Sequence, residues 1–115
     1  MNYIFRNKNG NEYNFERIDE NNIPEKGGLY CLGVRKEKLT PIYIGESKNL
    51  HERLTDTTHE GVKCAKKNSA NTIVIHITDE QTKGMTEKKA EEYRMSIERE
   101  LIEHYNPKCN SQHNQ

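Results

Sequence analysis

The chain has 115 residues, 31% hydrophobic and 31% charged, and its 18 basic and 18 acidic side chains leave no formal net charge. That length supports one domain with a single modest core. No apolar run approaches the ~20 residues that span a membrane, no charged-then-apolar signal segment opens the chain, and a neutral total confines any nucleic-acid contact to a local basic patch. The apolar residues fall into periodic runs, which marks a globular domain and not a disordered chain. Cys31, Cys64 and Cys109 are odd in number and show no C-x-x-C spacing. Neither a disulfide framework nor a zinc site is therefore expected, and the three are read as reduced cytosolic thiols.

In chain order, Tyr3-Ile4-Phe5 and Tyr13-Asn14-Phe15 flank an Asn-Gly turn and predict a hairpin. Residues 19–27 are loop by composition. GGLYCLGV (27–34) and PIYIG (41–45) are apolar runs joined by a charged stretch, expected as antiparallel neighbours. A short helix follows from about Lys48 to Thr57, with Ser47 or Asn49 as N-cap and Leu50 and Leu54 facing inward. Residues 60–70 carry a weak helical pattern through Val62 and Ala65, and NTIVIHIT (71–78) is a β-branched strand. Ala90, Tyr93, Ile97, Leu101 and Tyr105 recur at helical spacing over 86–105, and Pro107 ends that helix. The fold class is α+β, with a small, mostly antiparallel three-stranded sheet flanked by helices and an additional N-terminal hairpin. The domain reading is an extension and linker over 1–26, a main domain over 27–110 and a polar tail over 111–115.

Two antiparallel strands over 28–34 and 42–45 would set Tyr30 and Tyr43 on one sheet face, with Gly45 leaving open space beside them. Arg53 follows on the next helix, and Glu98 lies on or beside the apolar stripe of the long helix. Two phenols, a guanidinium and a carboxylate drawn to one face suit a phosphodiester. Residues 35–67 are the most basic third, with eight Lys or Arg against five acids, plus His51 and His59. The bland alternatives are strand packing for the tyrosines, a surface pair of Arg53 with Asp56 or Glu52, a helical pair of Glu98 with Arg94, and a chain-end cap for Asn110. His51, His76, His104 and Cys109 share no ligand spacing.

These residues resemble the GIY-YIG nucleases over about 27–110. GLY (28–30) is similar to the first element and YIG (43–45) to the second. The run YIGESKNLHERL continues to Asn49-Leu50 and to Arg53, ten residues after Tyr43. The run ERELIEHYNPKCN (98–110) is similar to the third element, with its glutamate, Leu-Ile pair, proline and closing asparagine. Two positions depart from some relatives: Glu46 stands where they carry lysine, and Thr57 where they carry histidine. Lys48 and His59 are the candidate substitutes for binding substrate.

The resemblance implies a GIY-YIG-type fold and metal-dependent hydrolysis of DNA, one strand per active site. Glu98 would hold a single Mg²⁺ or Mn²⁺, Arg53 the phosphoryl oxygens, and Tyr30 would accept the proton of the attacking water beside Tyr43. A phenol of pKa ~10 is a poor base at neutral pH, so a neighbouring cation or Tyr43 would have to favour its phenolate. Gly45 and Asn110 would support the site structurally. DNA is the implied partner, a homodimer or two successive nicks the route to a double-strand break, and neither a membrane nor a small-molecule cofactor is expected. Composition points to a bacterial or viral protein at work in the cytoplasm. The other functional class is a DNA- or protein-binding module on the same fold that does not cut. Selectivity is expected from the hairpin of 1–26 and the region 55–71, or from self-association through the N-terminal strands, so that deleting 1–22 would alter substrate choice more than folding.

Overall fold

The computed structural model describes residues 1–113. Strands β1 (Asn2–Arg6) and β2 (Glu12–Ile18) form the expected hairpin, and a 3₁₀ turn over Glu20–Asn22 leads on to β3 (Gly28–Arg35) and β4 (Leu39–Ser47). Helices α1 (Leu50–Leu54) and α2 (Glu60–Lys67) precede β5 (Thr72–Ile77), and α3 (Glu87–Tyr105) and α4 (Lys108–His113) close the order.

The sheet has five strands in the order β1-β2-β5-β3-β4, every neighbouring pair antiparallel, and not the three expected. The hairpin is no appendage, because β2 pairs with β5 through Glu16↔Ile75 and Ile18↔Ile73. Phe5 and Phe15 enter the core beneath α3, their ring centroids 4.3 Å apart. The buried Asn7 at the turn reaches Glu100 on α3 with its Nδ2, 2.7 Å away. Deleting 1–22 would remove two buried aromatic side chains, each contributing roughly 1.5–3 kcal/mol. That truncation is therefore expected to cost stability as well as any substrate choice.

Central β3 is covered on both faces, which is why GLYCLGV reads as a nearly unbroken apolar run. Leu29 and Cys31 face α3 with Ile44, Val74, Ile97 and Leu101. Tyr30 and Leu32 face α1 and α2 with Leu50, Leu54, Val62 and Ala65. Thr86 caps α3, accepting from the Lys89 N–H, and Asn106 ends it in the left-handed region at φ 46° before Pro107. Helix α1 is shorter than expected at both ends. Asn49 is its cap, and the Thr55 hydroxyl turns back to the His51 carbonyl.

Chain beyond Pro107 is helical through His113, whereas the tail was expected to begin at 111. That last helix brings Cys109 to Cys64 on α2, and the two form a disulfide with Cα atoms 5.8 Å apart. This corrects the expectation of reduced thiols for both. Parity and C-x-x-C spacing say nothing about two cysteines that tertiary packing brings together. Cys31 remains a buried free thiol.

Candidate active site

The site is built on the β3–β4 pair. Tyr30 lies directly opposite Gly45 and Leu32 opposite Tyr43, so both phenols share a face and their ring centroids are 6.0 Å apart. Pairing then jumps to Gly33↔Pro41, leaving Ile42 as a bulged residue next to Tyr43. Bulges of this kind bend a strand and re-aim the adjoining side chain. Gly45 has a steric reason: a Cβ there would run into the Tyr30 ring and hydroxyl. Gly61 has a matching one, since a Cβ at that point of α2 would run into the Tyr43 ring. Gly61 lies in the first turn of α2, and a glycine inside a helical pattern costs up to about 1 kcal/mol relative to alanine, which was the available signal and was missed.

Tyr30 is fully buried, and among the described residues no partner completes a hydrogen bond to its hydroxyl. Arg53 and Tyr43 nevertheless stand close enough to act on its charge. Burial raises its pKa, Tyr43 adds to the rise, and Arg53 only partly opposes both. The pKa of Tyr43 is likewise raised, by burial and then by Glu98. The phenolate that the sequence reading required of Tyr30 is thus disfavoured here.

Residue 46 links the remaining groups. Arg53, half-buried on α1, donates from Nη1 to the Glu46 carbonyl at 3.1 Å, so neither Asp56 nor Glu52 defines its position. Glu98 is half-buried on α3 and its carboxyl is pushed up to about 7. Burial is the first cause and the charge of Glu46 the second; the Glu46 backbone N–H and then Arg53 oppose them. Arg94 does not serve Glu98: its Nε meets the Glu46 carboxylate at 2.9 Å. Asn110, buried on α4, grips both polar groups of Ile44, accepting from its N–H at 2.9 Å and donating to its carbonyl at 2.8 Å. That two-point bond holds the free side of β4 between Tyr43 and Gly45.

The two substitutes stand apart from each other. Lys48 extends into solvent and bonds Glu87 at 3.0 Å. His59 caps α2, accepting weakly at Nδ1 from Val62 N–H at 3.4 Å, with its ring edge-on to Tyr43 at 6.0 Å. Thr57 is exposed.

Among the described residues no three His, Cys, Asp or Glu side chains cluster as a metal cage. A lone half-buried carboxylate does not suit zinc, which takes three or four protein ligands. It does fit Mg²⁺, which keeps several waters and needs only one or two carboxylates. The pKa of Glu98 makes this testable. Its folded-state value of about 7 lies above the ordinary 4.5, so the folded chain holds the proton more tightly. That stabilisation is complete below pH 4.5 and is lost as pH rises towards 7, amounting to about 1–2 kcal/mol once solvent screening is allowed for. A cation takes the ionised form and reverses the trend. Thermal unfolding should show little stabilisation by Mg²⁺ at pH 5.5 and a clear increase at pH 8, and an equal increase at both would contradict the assignment of Glu98.

No family model matches the sequence, and the comparison with curated proteins found no match. Among solved structures, the chain is similar to the GIY-YIG N-terminal endonuclease domain of UvrC from Thermotoga maritima bound to its catalytic divalent cation, magnesium, at 27% identity. The TM-score is 0.49, over 76% of this chain and 85% of that one. A point mutant of the same domain, bound to its catalytic divalent cation, gives 26% identity at a TM-score of 0.49, over 76% and 84%. These structures are GIY-YIG domains, the family that the sequence resembles. A superposition at that level carries no function across; the chemistry rests on this chain's own side chains.

Proposed function

We propose that this chain is a metal-dependent endonuclease of the GIY-YIG type, hydrolysing DNA phosphodiester bonds one strand at a time. One observation carries the reading: Tyr30, Tyr43, Arg53 and Glu98 come from four separate elements and meet around residue 46. A single Mg²⁺ or Mn²⁺, held by Glu98 and water, would neutralise charge on the scissile phosphate and the leaving group. Arg53 presents the rest of its guanidinium fork to the phosphoryl oxygens, where charge grows in the transition state. Tyr43, the more exposed phenol, and Tyr30 behind it act as a neutral pair that orients the attacking water. Burial opposes the role of base first assigned to Tyr30. Asn110 and Gly45 keep the strand and the phenol in place. One such centre cuts one strand, so a double-strand break requires a second copy or a second nick.

A specific observation favours the second reading, a binding module that does not cut. The groove of about 470 Å³ beside Arg53 is lined by five acids, Glu46, Glu52, Asp56, Glu87 and Glu91, against four cations, Lys48, Arg53, Lys88 and Arg94, so it offers a phosphate backbone no basic surplus. Supercoiled plasmid separates the two. Conversion to nicked circles with Mg²⁺ or Mn²⁺, absent with EDTA and absent in Glu98→Ala, is the expected result. Intact plasmid throughout would hand the protein to the second reading, and nicking that survives Glu98→Ala would overturn the role given to Glu98.

A further inference from the structure

Arg94 is an arginine inside the protein. It is 5% exposed, and its ion-pair partner Glu46 keeps only 16% of its side chain in solvent. Withdrawing two charges from water is costly, and a buried pair commonly stabilises no better than well-packed apolar side chains would. Stability is therefore a weak reason for its presence. Geometry supplies a stronger one.

Residue 46 makes three connections at once. Its carbonyl accepts from Arg53 Nη1 at 3.1 Å, its carboxylate accepts from Arg94 Nε at 2.9 Å, and its backbone N–H faces the Glu98 carboxylate. Arg94 and Glu98 are four residues apart on α3, one above the other on the same side of the helix. A bond anchored at Arg94 therefore sets the rotation and height of α3 against β4, and with them the place of Glu98. Arg53 hangs from the same residue of β4. Gly27 leaves room beside the Arg94 guanidinium, where a Cβ would stand 3.4 Å from Nη1. The Gly27 N–H is itself bonded to Asp79 at 3.0 Å. Pairing Arg94 with Glu46 also leaves the Glu98 carboxylate to a cation.

We infer that Glu46 and Arg94 are positioning residues, a buried ion pair that sets the spacing between the cation-binding Glu98 and the phosphate-binding Arg53. The inference rests on the nuclease reading for the role of that spacing. Its test reads metal binding directly as well as cleavage. The neutral double variant Glu46→Gln/Arg94→Met removes both charges at similar volume and leaves none buried alone. Circular dichroism and thermal unfolding establish that it folds, paramagnetic resonance of free Mn²⁺ gives its metal affinity, and plasmid nicking gives its rate.

A folded double variant should bind Mn²⁺ at least ~10-fold more weakly and nick about 10–100-fold more slowly, the range typical when a partner of a metal ligand is lost. The DNA concentration giving half-maximal rate should not change. A folded double variant that binds Mn²⁺ and cuts like the wild type overturns the inference. Should the double variant fail to fold, Arg94→Lys goes through the same assays: it keeps the charge but loses the planar fork, and wild-type Mn²⁺ binding there overturns the inference equally. If the wild type binds Mn²⁺ without cutting, the nuclease reading fails alone. Weakened Mn²⁺ binding in the variants would still support the positioning of Glu98, and unchanged binding would overturn it.

Discussion

Arg53→Ala should slow plasmid nicking by about 10²–10³-fold with little change in stability. That is the usual loss when one donor to a transition-state oxyanion is removed. The fold should tolerate the change because α1 is held by Leu50 and Leu54, both buried, whereas Arg53 is half-buried at the edge of the site. Its guanidinium stays protonated despite half-burial, and Glu46 nearby favours that charge. One N–H is spent on the Glu46 carbonyl, and the planar fork still has others to offer a phosphate. Lysine has no such division of labour, so Arg53→Lys should recover only a small part of the rate. Single-turnover nicking beside a thermal melt checks both variants. Wild-type cutting by Arg53→Lys would show that only a diffuse positive charge is needed.

Gly45→Ala should be the most damaging single methyl group in the site. Its Cβ would lie 2.5 Å from the Tyr30 ring carbon that bears the hydroxyl and 2.9 Å from the next. Tyr30 cannot step aside easily, being fully buried among Leu50, Leu54, Val62 and Ile75. Overpacking of this kind costs about 1–3 kcal/mol, and cleavage should be lost with the displaced phenol. A double-mutant cycle isolates the cause. In a Tyr30→Leu background the same glycine replacement should cost under about 1 kcal/mol, measured by urea unfolding. An equal cost in both backgrounds would mean that the phenol is not what Gly45 accommodates.

Much of the site could be read from single segments. GLYCLGV and PIYIG announced β3 and β4, and the period of 28–34 and 42–45 grouped Tyr30 with Leu32 and Tyr43 with Gly45, the pairing register then setting both phenols on one face. Spacing placed Arg53 on α1 and Glu98 on α3. Each of these is a property of a short contiguous stretch, where backbone period alone decides which way a side chain points. The ambiguous pattern over 60–70 was real, and His59 and Gly61 turned it into a helix seated against Tyr43.

What escaped depended on which distant segments become neighbours. The sheet grew from three strands to five because β2 found β5, a pairing across more than fifty residues that leaves no local trace. Cys64 met Cys109 only because α4 follows Asn106 and Pro107 back towards α2. The bland alternative made Arg94 a helical partner of Glu98, four residues on, yet Arg94 turned to Glu46 on β4. An exposed helical pair is worth only a few tenths of a kcal/mol. A charge buried between α3 and β4 must find a partner there or meet a penalty of several kcal/mol. Burial exists only once the chain has closed, so the organisation of the site around residue 46 belongs to the tertiary structure.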